Sequence, residues 1–210
     1  MFRLLALITR GNYWKFHSRV MSLILRLYGI RVGRNFYIEG VPRLAIRGNA
    51  GNIRFGNSIS VFGNIDLRVR EQGTIIVEDG VSIDNDCRFV AANRAVLRIG
   101  SGSSIGPYCV FNCGADVAIG PDCLIAGFVY IQSSQHRIHR GELIKTQGHT
   151  YAPITLGRDV WIGAHATILK GAFLSDGCVV GAHSLVRNGQ YPPNTVLVGI
   201  PARVLREREE

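Results

Sequence analysis

The sequence predicts an all-β solenoid, a parallel β-helix of six-residue repeats. Three observations carry that prediction: apolar residues recur every sixth place, glycine often follows them, and corresponding positions repeat at three sixes plus a short excursion. From Leu156 the beat runs Leu156, Ile162, Ile168, Leu174, Val180 and Val186, then Pro192 and Val198, with Gly157, Gly163, Gly181 and Gly199 next in line. Upstream it reads Ile99, Ile105, Phe111 and Val117, then Ile119, Ile125 and Ile131. Earlier still come Phe55, Val61 and Leu67, then Val77, Ile83 and Phe89, so that positions 55, 77 and 99 lie 22 residues apart. Coils of three short strands with an excursion at one corner explain that period, which tightens to 18 near the C-terminus. Solenoids of this kind bury a continuous core by stacking several coils.

Composition agrees. Twenty-five glycines with only 19% charged residues suit a turn-rich β architecture, because glycine weakens helix interiors. A 47% hydrophobic content supplies a core and argues against disorder, and 210 residues fall within a single domain.

Residues 1–31 lie outside the beat. Met1–Ile8 and Tyr13–Tyr28 read as apolar-rich helices, separated by Gly11-Asn12 and ended near Gly29. This appendage holds Arg3, Arg10, Lys15, Arg19, Arg26 and Arg31, and no acid precedes Glu39, so much of the net charge of +9 sits here. It can cap the open first coil, pack on another subunit, or lie on an anionic membrane surface. Residues 32–204 form the solenoid and 205–210 a charged tail. No apolar run reaches the roughly 18 residues of a spanning helix. Leu4 to Ile8 is also shorter than a secretory signal core. The expected location is cytoplasmic, with the inner membrane face as the place of any peripheral contact.

Five cysteines without CxxC spacing argue against a disulfide framework or a structural zinc site. Cys87, Cys109, Cys123 and Cys178 each fall four places after an apolar marker, where Ala166 and Ser184 stand elsewhere, so they read as small inward packing residues. Cys113 is off register and unassigned.

The beat breaks between Ile131 and Leu156, where residues 132–155 exceed what a coil face requires. The extruded loop carries His136, His139 and His149, half of the six histidines, with Arg137, Arg140, Glu142 and Lys145. Polar loops on rigid scaffolds commonly carry function.

At this point the residues resemble a family. Ile162-Gly163-Ala164-His165-Ala166-Thr167 is similar to the hexapeptide repeat of bacterial acyltransferases, whose coils are left-handed against the usual crossover rule. The stretch from Ser134-Gln135-His136 through Ala152-Pro153-Ile154-Thr155-Leu156-Gly157-Arg158-Asp159-Val160-Trp161-Ile162-Gly163 resembles the active-site region of galactoside and maltose acetyltransferases. The resemblance covers about residues 32–206 and is strongest from His136 to Arg206. It implies a left-handed β-helix, acetyl-CoA as cosubstrate without a metal, and a homotrimer with active sites between subunits. By the same resemblance His136 is the general base, and Trp161, Gly163, Ala164, Gly181 and Ala182 line a pantetheine channel. Arg203 meets the nucleotide phosphates, with Arg206 and Arg187 as secondary candidates, since a guanidinium fork matches phosphate geometry. Asn112 falls at an acceptor-binding place, and His139 and His149 are further acceptor contacts. The N-terminal domain of the maltose and galactoside enzymes has no counterpart here. The basic helices and irregular early coils look more like acetyltransferases of capsular, colanic-acid or O-antigen synthesis, which implies a hydroxyl of a sugar or surface-polysaccharide precursor as acceptor.

Acyl transfer from a thioester needs that hydroxyl made nucleophilic, and a neutral imidazole can take its proton. The rival readings are an amine of a nucleotide-linked aminosugar, a hydroxylated antibiotic, a γ-type carbonic anhydrase, and a noncatalytic scaffold. His165 and His183, 18 residues apart, would stack as zinc ligands might, yet no third ligand is in register. Nucleic-acid binding lacks the aromatic platform or groove helix that would accompany the basic patches.

Overall fold

The computed structural model describes residues 12–209, so the expected helix Met1–Ile8 lies outside the described residues. The second expected helix forms as Asn12–Leu27, and Gly29, at φ +98°, supplies the left-handed turn that ends it. Its inner side lies over the first coil. Ser18 Oγ accepts the backbone N–H of Ile38 at 2.8 Å, Leu25 is buried, and the Arg26 guanidinium donates to the carbonyls of Val32 and Gly33. The helix thus covers the open end of the solenoid. Its outer side leaves Phe16, Leu23 and Leu27 exposed.

Residues from Arg31 onward form a left-handed parallel β-helix of about seven turns. The described residues make three large sheets, of eight, nine and seven strands, parallel but for the last strand of the second, and consecutive strands pass from the first face to the second to the third before returning. One inward column of the first face reads Phe55, Val77, Ile99, Ile119, Leu156 and Leu174, each the Cα partner of the next. The six-residue beat works because each face takes one short strand, whose central inward residue must be apolar. Phe89 and Phe111, both fully buried, pack edge to face in the core, 5.0 Å apart. Glycine follows the column where coils approach closely: a Cβ on Gly120 would collide with the Gly157 carbonyl.

The last coil departs from the expected beat. Only three residue steps separate Val186 from Gly189, the start of the next first-face strand, against four between Ile168 and Ala172. The inward places therefore move back by one. Tyr191 pairs with Leu174 and Leu197 with Val180, while Pro192 and Val198, the residues the beat predicts, are exposed. The final strand Ala202–Glu207 turns back antiparallel onto Thr195–Gly199. Leu205, Arg206 and Glu207, expected in the tail, thus belong to the sheet, where their backbone closes the open edge.

All five cysteines are free and buried. The four in register share one arrangement: Cys87, Cys109, Cys123 and Cys178 donate to the carbonyls of Gly106, Ala126, Gly157 and Pro192 on the following coil, at 3.0–3.1 Å. Cys113, which the spacing leaves unassigned, ends the strand Val110–Cys113 and also points inward. Burial pushes its thiol well above the ordinary range, and that of Cys123 upward too, so both are packing groups.

Candidate active site

The chain leaves the third face at Gln132 and rejoins the first at Ile154. The intervening segment is anchored by Ser133, whose buried Oγ accepts the N–H groups of Gly114 and Ala115 and donates to the Ala115 carbonyl. Beyond it, Ser134–His136 and His149–Tyr151 pair antiparallel. Backbone bonds link Arg137 with Gly148 and Ala152 with Ser133, so His136 and His149 face each other as a pair without mutual backbone bonds, the kind in which side chains come closest. Their ring centroids are 4.0 Å apart. Alternation along both strands puts Ser134, His136, His149 and Tyr151 on one side of the ribbon.

A cavity of about 240 Å³ opens on that side, lined by Asn112, Ser134, His149 and Tyr151 among others. Asn112 and His149 are therefore brought to one cavity, with His136 directly against His149. His139 is not. It lies in the exposed outer part of the loop, where its backbone N–H and carbonyl are clamped by the Gln147 side chain at 2.7 and 2.9 Å. Tyr151 and Gln147 escaped the sequence reading. Tyr151 was open to discovery by two-residue alternation from His149, had the loop been read as a ribbon; nothing in the spacing marks Gln147.

The expected cofactor residues occupy another edge. Trp161 is half exposed on the second face, between Leu124 and Val179. Gly163-Ala164 and Gly181-Ala182 sit one coil apart at the corner between the second and third faces, where the His183 N–H donates to the Ala164 carbonyl at 2.9 Å. The two glycines permit close stacking: a Cβ on Gly163 would stand 2.6 Å from the Ala182 nitrogen. Beside this shelf His165 and His183 stack at 4.8 Å, as their spacing predicts. The column continues through Phe128 and Tyr108 at 4.7 and 4.9 Å, and no group of three His, Cys, Asp or Glu side chains gathers around it among the described residues. Arg203 lies on the last strand, its guanidinium bonded only to the neighbouring Ala202 carbonyl among the described residues. Arg206 is engaged by Glu209. Arg187 stands apart from the rest, at the corner between the third and first faces, the corner from which the ribbon is extruded.

His136 and the Ala164–Ala182 shelf thus occupy different edges of the prism, with the third face between them. One copy alone does not join them.

No protein-family model matches the chain. Galactoside O-acetyltransferase of Escherichia coli is 32% identical over 187 residues, covering 85% of this chain and 87% of that enzyme. The chain belongs to the hexapeptide-repeat acetyltransferases, a family of acetyl-CoA-dependent acyltransferases. This hexapeptide-repeat acetyltransferase is also 29% identical over 147 residues to WbbJ of Escherichia coli, named for O-acetyl transfer in lipopolysaccharide biosynthesis; the match covers 66% of this chain and 74% of WbbJ. A relative in Mycobacterium tuberculosis, named as an acetyltransferase, is 36% identical over 125 residues, and the match spans 41% of that longer protein. Among solved structures, AntD, an N-acyltransferase from Bacillus cereus, superposes with a TM-score of 0.58 over 90% of each chain at 21% identity, a likeness of fold alone.

Proposed function

We propose that this protein is an acetyl-CoA-dependent O-acetyltransferase acting on a hydroxyl of a sugar or surface-polysaccharide precursor. The observation that carries the proposal is the His136–His149 pair on an antiparallel ribbon beside a cavity that Asn112 helps to line. In this reading the His136 imidazole takes the proton of the acceptor hydroxyl as its oxygen attacks the thioester carbonyl. His136 then returns the proton to the departing CoA sulfur, so the base is regenerated. His149 and Asn112 hold the acceptor. The shelf of Gly163, Ala164, Gly181 and Ala182 fits a pantetheine arm because no side chain larger than methyl rises from it, and Trp161 flanks its start. Arg203, free of any acidic partner among the described residues, suits the nucleotide phosphates, with Arg206 secondary.

Because hairpin and shelf lie on different edges, the reading includes a homotrimer in which His136 of one copy meets the shelf of the next. The names of the galactoside enzyme and of WbbJ support a saccharide hydroxyl. The test is release of free CoA from acetyl-CoA against sugars, oligosaccharides and nucleotide-linked aminosugars, with the product treated with hydroxylamine. Acceptor-dependent release with a hydroxylamine-labile acetyl group is expected; a stable amide would replace O-transfer by N-transfer.

The reading also includes a cytoplasmic enzyme held at the inner membrane face through the helix Asn12–Leu27. No described helix is long and apolar enough to cross a membrane. Phe16, Val20, Leu23 and Leu27 form an exposed apolar stripe on that helix, and Lys15, Arg19 and Arg26 run beside it, the pattern of an interfacial helix. Vesicles containing about 30% anionic lipid are expected to sediment the protein, and Leu23→Glu to release it. No sedimentation above that seen without vesicles would leave the helix a cap only.

A further inference from the structure

We propose that the acceptor is an oligosaccharide of at least two sugar residues, seated in a groove that runs from the His136–His149 pair across Tyr151 to Asn93 and Glu71. The inference rests on the transfer reading above and names the substrate class of the same site. The cavity at His149 adjoins a second, of about 790 Å³, that reaches Arg94, Asp116 and Pro153; the two share Glu71, Asn93, Gly114 and Tyr151 as lining. Gly114, Asn93 and Glu71 stand on three successive coils, tied together by the Asn93 amide donating to the Gly114 carbonyl and the Asn93 backbone N–H donating to Glu71 Oε2. At about 4.8 Å per coil the groove extends about 10 Å from the reacting end, more than a single sugar ring fills.

The lining selects the chemistry. Tyr151 is half exposed and presents its ring between the two cavities, while Pro153 and Ala115 add apolar surface suited to the carbon face of a pyranose. Around that surface stand hydrogen-bonding groups. Glu71 and Asp116 each spend one carboxylate oxygen on a backbone N–H, of Asn93 and Val96, and keep the other free among the described residues. Free carboxylate oxygens accept from sugar hydroxyls, and the guanidinium groups of Arg70 and Arg94 on the same walls donate to them and leave the lining without net charge, which suits a neutral polyhydroxylated chain. Gly114 seats the platform: a Cβ there would come within 2.7 Å of the Tyr151 ring.

The experiment compares kcat/KM for acetyl transfer to N-acetylglucosamine and its β-1,4-linked dimer and trimer, and to glucose, maltose and maltotriose. Wild type, Tyr151→Ala and Gly114→Ala are measured together, with thermal melting to establish that each is folded. In at least one series the trimer is expected to exceed the monomer by about tenfold or more, and both variants to bring that ratio close to one. Transfer at equal kcat/KM to all chain lengths, or a length preference that survives both substitutions, would overturn the groove and leave the transferase reading intact. Acetyl-CoA turnover with no saccharide of either series would overturn both.

Discussion

Replacing His136 by alanine is expected to lower kcat by about 10²–10⁴-fold, the usual contribution of a positioned general base, which corresponds to roughly 3–5 kcal/mol of transition-state stabilisation. Binding of acetyl-CoA should change little, because the shelf of Gly163, Ala164, Gly181 and Ala182 lies on another edge of the prism. In His149→Ala, whose ring is 4.0 Å away in the same ribbon, an acceptor contact is lost and the base kept, so KM for the acceptor is expected to rise while kcat falls far less than in His136→Ala. Equal turnover by wild type and His136→Ala would remove His136 from the chemistry.

Co-expressing two inactive variants is expected to restore activity. In His136→Ala the ribbon is disabled and the shelf intact; in Ala164→Trp an indole fills the shelf and the ribbon is intact. If His136 of one copy works on the shelf of the next, random assembly into closed trimers pairs an intact ribbon with an intact shelf at about one quarter of the interfaces. Recovery to roughly that fraction of wild-type activity, with each variant alone near background, would establish a site shared between copies. No recovery from mixed trimers of confirmed composition would require each chain to carry a complete site, contrary to the third face separating the two edges.

Much of the fold was legible before any coordinates. A six-residue apolar beat is a local property, and the inward columns of the six coils from Phe55 to Val186 follow it residue for residue. The break between Ile131 and Leu156 likewise announced an extruded segment. Where the beat failed, the cause was a turn. Between Val186 and Gly189 one residue fewer is used, and the apolar markers slipped from Pro192 and Val198 to Tyr191 and Leu197, a change that counting by six cannot register because it preserves the apolar character of the neighbours. Cys113 was missed for a related reason: the third-face strand Val110–Cys113 is longer than one hexapeptide position implies, so its last residue turns inward as well.

The candidate site divides the same way. The residue types, and the family resemblance that singled out His136, were on the page from the start, since a histidine at the mouth of an extruded loop is a feature of a short stretch of chain. The sequence by itself determined a coiled β architecture, its core and the segment where chemistry is expected. The tertiary structure decided that His136 faces His149, that Tyr151 sits on Gly114 between two cavities, that Arg187 and Arg203 stand on different edges, and that ribbon and shelf do not meet within one chain. The physical reason is that a repeat is written in neighbouring residues, whereas a groove is made by residues about 20 positions apart, stacked about 4.8 Å from one another, and by edges that only a second copy can bring together.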